Sequence, residues 1–221
     1  MTYKIQIELL SDTTFGRGDG VAGLIDSEVE HDEIGLPYLR GRALKGLLAE
    51  ECANLLFSIK QFAPNNTVWE NAASNLFGFG GSSLNEAAKM HVGDAILPSE
   101  LKSALEYEIY ESKSITKDEV LQSLTTIRRQ TAMEANGSPK ETSLRSSRAI
   151  LRKTVFEAEI DSDFPVDSDE IILLAMSCNA LQRAGLGRNR GCGKIKVELL
   201  QNAIPNDIPI INYLENFEAK S

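Results

Sequence analysis

Two kinds of apolar spacing alternate along this chain, and their order is what most restricts the fold. Residues 3–10, "YKIQIELL", place Tyr3, Ile5, Ile7 and Leu9 on one face, the period of a strand. The segments 89–97 ("KMHVGDAIL"), 153–161 ("KTVFEAEID") and 193–200 ("GKIKVELL") alternate in the same way. Leu44, Leu47, Leu48, Cys52, Leu55 and Leu56 instead recur every three to four positions, which predicts a helix starting near Gly41 and burying that stripe. "SDEIILLAMSCNALQRAG" predicts a second helix, capped by Ser168 or Asp169, acidic in its first turn and ended by Gly185.

The resulting order, β-α-β-β-α-β, is that of an α+β, ferredoxin-like (RRM-like) sheet with two helices on one face. Between the second and third strands, residues 115–149 are polar and basic and are broken by "NGSP", a turn signal. They read as an inserted hairpin projecting from the core. Residues 11–35 are glycine-rich, polar and too long for a tight turn, so they are expected to be functional or disordered. A chain of 221 residues can bury one substantial core. The expected organisation is one domain over 1–221, with a body at 1–112 and 153–200, an insertion at about 113–152 and a tail at 201–221.

No apolar run approaches the ~20 residues that cross a bilayer, and "MTYKIQIELL" lacks the apolar segment of a signal peptide. Cys52, Cys178 and Cys192 are odd in number and far apart, which suggests neither a disulfide framework nor a zinc site and fits a reducing cytoplasm. With His31 and His91 as its two histidines, the chain has no His-rich metal centre. A net charge of −9 argues against a nucleic-acid partner, but the distribution argues the other way. Fifteen of the 23 lysines and arginines fall in three windows: three in 40–45, seven in 127–153 and five in 183–196. Only Glu134 and Glu141 interrupt them, while acids gather in "EVEHDE" (28–33) and at 161–170. If the windows meet in space the surface is polarised; otherwise they are three separate solvated faces. The third window holds "GLGRNRGCGK", where glycines would let backbone N–H groups approach an anionic chain that the arginines neutralise. A helix beginning at Gly41 with Arg40, Arg42 and Lys45 in its first turn would converge on the same ligand.

The segments "LPYLRGRALKGLLAEE" and "GLGRNRGCGKIKVEL" resemble the helix motif and the carboxy-terminal glycine-rich loop of the RAMP superfamily. "GLIDSEVEHDEIGLPY", "TTIRRQTAMEANG" and "LFGFGG" followed by "VGDAIL" resemble, in order, segments of the backbone (Csm/Cmr-type) subunit of type III CRISPR effector complexes. The matches span roughly residues 3–200. The resemblance implies a subunit repeated along a guide RNA, held by a palm, whose inserted thumb pushes between nucleotides at regular intervals. Its partners would be guide RNA, target RNA, further copies of itself and other subunits of the complex, with no membrane. By carry-over, guide contacts fall to Arg40, Arg42, Lys45, Arg128, Arg129 and to Gly185, Gly187, Arg188, Arg190, Gly191, Gly193 and Lys194, with Met133 as the thumb's wedge. Where the family has small hydroxyl residues this chain has "RGRALKG", which adds charge.

The resemblance also implies that the loop aspartate Asp26, in "LIDSEV", cleaves target RNA beside each displaced nucleotide. A ribose 2′-hydroxyl can attack its own phosphate once it is held in line with the leaving oxygen, so positioning is the main requirement. With an ordinary carboxylate pKa of ~3.9, Asp26 would be a poor base at neutral pH and a better ligand to hydrated Mg²⁺. The expectation is therefore metal-dependent endoribonuclease activity. Asp19 and His31 are further candidates, with ordinary turn residues as the competing reading; His91 reads as a packed strand histidine. Three rival functions stand beside this one: a non-catalytic guide-binding subunit, a guide-processing ribonuclease, and a DNA- or protein-binding module without chemistry.

Overall fold

The computed structural model describes residues 3–62, 67–78, 88–132, 134, 137–138, 140, 143–162, 164–165, 168–201 and 208–209. Strand β1 (Tyr3–Leu9) is the middle of a five-stranded antiparallel sheet and pairs with β5 (Val155–Asp161) on one side and β6 (Ile195–Gln201) on the other. Beyond β5 lies the two-residue β2 (His91–Val92), and beyond β6 lies β7 (Ile208–Pro209). Leaving out β7, the order is second, third, first, last, the arrangement of a ferredoxin-like sheet. Alternation sets which side is covered: Tyr3, Ile5, Ile7 and Leu9 are fully buried, and Phe156, Ala158, Ile160, Ile195, Val197 and Leu199 join them.

Helix α1 (Gly41–Phe62) buries Gly41, Leu44, Leu48 and Cys52, the stripe read from the sequence. Its first N–H is capped from a distance, by Asp94 Oδ1 at 2.7 Å. Helix α2 (Val68–Phe77) packs beside α5 (Asp169–Ala180), which also contacts α1 and β6. Ser168 caps α5, accepting from the Ile171 N–H. The helix stops at Ala180, short of the expected Gly185. Residues 182–184 turn instead to the approach of β6: Ala184 N–H donates to the Gly193 carbonyl (2.9 Å) and Ile195 N–H to that of Gln182 (3.0 Å). Those bonds replace the helical ladder.

Two helices went unread in the sequence, α3 (Ser99–Tyr107) and α4 (Lys117–Leu124). The start of α4 carries a reciprocal capping box between Thr116 and Glu119. Strands β3 (Thr125–Gln130) and β4 (Arg145–Ile150) form a separate antiparallel pair, from Thr125 opposite Ile150 to Gln130 opposite Arg145. The root of this segment belongs to the core, since Val120, Leu121, Thr125, Ala149 and Ile150 are buried. His91 is exposed, contrary to its reading as a packed strand residue. No helix among the described residues is long and apolar enough to cross a membrane.

Residues 10–40, read as functional or disordered, are ordered by backbone pairing. Gly16 bridges Val29, Val21 bridges Ile25, and His31 bridges Pro37. The same loop joins the hairpin, with Thr13 opposite Ile150 and Ser27 beside Ser147. Thr13, Phe15, Val29, Ile34 and Leu36 are its buried anchors.

Candidate functional site

The glycine-rich turn forms around two tight backbone contacts. Gly185 and Gly193 both have positive φ, +83° and +72°. A Cβ on Gly185 would stand 2.5 Å from the Thr14 carbonyl oxygen, and one on Gly193 would stand 2.0 Å from that of Ala184. These two glycines serve the packing of the turn against the protein itself. Gly187 and Gly191, also at positive φ, flank a single 3₁₀ turn, Arg188–Arg190, on the exposed side.

That turn and the start of α1 line one cleft of about 330 Å³. Arg40, Ala43 and Leu47 come from the helix side, Gly185, Leu186 and Arg188 from the turn, and Phe15, Arg17 and Glu30 from the loop between. Two of the three basic windows therefore meet. The loop is the seam they share with the third: Ser11 and Lys194 exchange hydrogen bonds, and Thr14 accepts from Leu186 N–H. One residue after Ser11, Asp12 holds the side chains of both Arg128 and Arg152 from the hairpin region. Burial opposes ionisation of the Asp12 carboxyl, but bonds from Arg128 and Arg152 outweigh it and hold the group below the usual carboxylate range.

The acids are not on a separate face. Glu28 and Glu30, read as part of a solvated acidic turn, are buried. Glu28 Oε1 receives Arg148 Nε at 2.8 Å, with only 4% and 14% of the two side chains exposed, and Arg148 also donates to Thr125 Oγ1. Glu30 Oε1 receives Arg40 at 2.7 Å and the Tyr38 hydroxyl at 3.0 Å. The loop folds back on the cations, so each acid neutralises one of them. The basic surface is accordingly smaller than the sequence windows suggest. Arg42, Arg129, Arg190 and Lys194 remain exposed and make no side-chain ion pair among the described residues. Arg188 lies 3.3 Å from Glu50 at the surface. Lys45 turns inward, donating to the Met90 carbonyl at 2.7 Å, and burial lowers its pKa. It can meet an external anion only by giving up that bond. Met133 lies outside the described residues.

Asp26 sits exposed just past the tip of the loop hairpin. Its Oδ2 accepts from Ser146 N–H at 2.6 Å and from Ser146 Oγ at 3.2 Å, so β4 holds it across 120 residues of sequence. Its own N–H donates back to the Ser146 carbonyl at 2.9 Å. The Ser146 N–H, then its hydroxyl, then nearby Arg145 hold the carboxyl below its ordinary pKa. The group is thus an anion at neutral pH and no proton acceptor. Asp19 pairs with Arg17 at 2.6 Å, and His31 Nδ1 lies 3.0 Å from the Asp32 carbonyl oxygen. Arg17, on the wall of the cleft, was missed in the sequence; its signal was a cation between two glycines in "FGRGDG". Among the described residues no three His, Cys, Asp or Glu side chains gather to hold a metal ion. Asp26 alone fits a hydrated Mg²⁺ whose other ligands are water and phosphate, and does not fit a cation caged by protein.

The fold has close counterparts. A chain of the type III-B Cmr-beta structure bound to cognate target RNA superposes with TM-score 0.61 at 14% identity, covering 90% of this chain and 97% of that one. Its apo-state counterpart gives 0.62 at 14% identity, over 91% and 98%. A chain of a type IV-B CRISPR complex gives 0.60 at 12% identity, over 93% and 95%. No curated protein matches the sequence. The sequence model of the RAMP superfamily matches residues 6–196, nearly the whole of the chain, which therefore belongs to the RAMP superfamily.

Proposed function

We propose that this chain is a guide-RNA-binding backbone subunit of a type III CRISPR effector complex, assembled from several copies with other subunits. The observation that carries this reading is the cleft where the start of α1 and the glycine turn meet, rimmed by Arg17, Arg40 and Arg188. Arg42, Arg190 and Lys194 extend the positive charge outward from it. The hairpin β3–β4, with Arg128 and Arg129, would form the thumb, on a body made of the remaining strands and helices. Guide phosphates would lie against the arginines, leaving base edges free to pair with target.

The chain's own binding of RNA is tested by salt dependence. Each phosphate contact on a single strand contributes a slope of roughly 0.7 in log K against log[salt]. Arg42→Ala combined with Arg190→Ala is expected to flatten that slope by roughly 1.4 and to weaken binding at low salt. A slope identical to that of the unmodified chain removes these residues from the interface.

Within the assembled complex, Asp26 is proposed to support cleavage of the target strand. Held by Ser146 and kept ionised, it positions a negative oxygen beside a nucleotide splayed by the hairpin. With target RNA present, Asp26 would hold a hydrated Mg²⁺, which would supply positive charge at the scissile phosphate. Asp26→Asn is expected to lower target cleavage on the order of 10²–10³-fold with guide and target binding unchanged. Cleavage at the original rate would make the subunit a non-catalytic one, whose Asp26 only ties the loop to the hairpin. RNA copurifying with the complex should be a discrete set of short species sharing a 5′ segment.

A further inference from the structure

Glu30 is out of place in a cleft meant for a polyanion. Its side chain is 9% exposed, and Oε1 is engaged by Tyr38 and Arg40. Oε2 accepts from none of the described residues, yet no buried polar side-chain atom among them lacks a partner. The free oxygen is therefore open to the cleft whose wall Glu30 forms. A carboxylate facing a phosphate chain weakens its binding unless the ligand brings a hydrogen-bond donor.

Along an RNA backbone, the donor present at every position whatever the sequence is the ribose 2′-hydroxyl. The cleft has the size for one nucleoside unit, at the lower end of the ~300–1,000 Å³ usual for small-ligand sites. Its walls are mixed in a way that suits a sugar: Phe15, Leu39 and Leu186 for its apolar faces, Arg40 and Arg188 for the phosphates on either side. We infer that Glu30 Oε2 accepts a hydrogen bond from a ribose 2′-hydroxyl of the bound strand and so makes this chain select RNA over DNA. The inference rests on the RNA-binding reading above and adds to it the residue that recognises the sugar. Tyr38 fixes the acceptor: burial, and then its bond to Glu30, raise the phenol's pKa, so it stays a donor and leaves Glu30 with lone pairs to offer.

The test uses the full chain and one short sequence made as RNA, as 2′-fluoro RNA and as DNA. The 2′-fluoro strand keeps the RNA sugar pucker but has no 2′ donor, so a difference from RNA reports the hydrogen bond and not helix shape. The unmodified chain is expected to prefer RNA to 2′-fluoro RNA by about 10-fold. In Glu30→Gln the amide oxygen keeps Tyr38 and Arg40 as donors while an NH₂ replaces the open acceptor. That variant is expected to bind 2′-fluoro RNA and DNA more tightly than the unmodified chain does, with a preference for RNA close to 1 and an unchanged melting temperature. A merely structural Glu30 would shift all three ligands together, and that result overturns the inference. Equal affinity of the unmodified chain for RNA and 2′-fluoro RNA overturns it while leaving RNA binding intact. Failure to bind any of the three strands overturns both readings.

Discussion

Glu28→Ala is expected to cost the fold about 3–5 kcal/mol, because it strands the Arg148 guanidinium in a site where only 14% of its side chain is exposed. The loss follows from what the pair joins. Glu28 lies on the loop before α1 and Arg148 on β4, with Thr125 of β3 taking a second guanidinium bond. The Glu28 carboxylate also accepts the Val29 N–H at 2.9 Å. Removing the acid leaves a buried cation with one neutral partner. In a chain of this length the melting temperature should fall by roughly 6–20 °C. Replacing both partners, as Glu28→Leu with Arg148→Met, should cost much less, since no charge is then left buried. Equal losses for the single and the double variant would show that desolvation of the arginine is not the cause.

Gly193→Ala is expected to be nearly as severe, at about 3–5 kcal/mol. Left-handed backbone costs an alanine about 1–2 kcal/mol, and the overlap of its Cβ with the Ala184 carbonyl adds roughly 1–3 more. That carbonyl cannot move freely, because the adjacent Ala184 N–H is bonded to Gly193 itself and Ile195 N–H to Gln182. Gly191 provides the control. Its φ is +86°, but no heavy atom lies within 4 Å of a Cβ placed there. Gly191→Ala should cost only the conformational share, about 1–2 kcal/mol. Denaturant unfolding of the two variants separates crowding from backbone strain, and equal destabilisation would refute the packing role given to Gly193.

The sheet was legible because β1, β5 and β6 each bury one face, and a period of two states which face that is. The α1 stripe was legible for the same reason at a period near 3.6. α4 carried a readable signal, Thr116 three residues before Glu119, but its basic, polar setting masked it. β2 is two residues long, too short for any period to register. The meeting of the α1 start with the glycine turn followed from topology. The neutralisation of that surface did not: Glu28 reaches Arg148 across 120 residues, and nothing local distinguishes a buried acid from a solvated one in "EVEHDE". Asp26 was found by resemblance; its anchor, Ser146, had no sequence signal because the bond joins the loop to a strand far along the chain.

The splint between the loop and β4 has a mechanical consequence. Thr13, Asp26 and Ser27 are all fastened to the same strand, at Ile150 and at Ser146 and Ser147. A torque on the β3–β4 ribbon, such as a passing duplex would exert, is transmitted to the Asp26 carboxylate as a rigid displacement and not absorbed by a slack tether. The lever that parts two nucleotides and the group beside the exposed linkage then share one pivot.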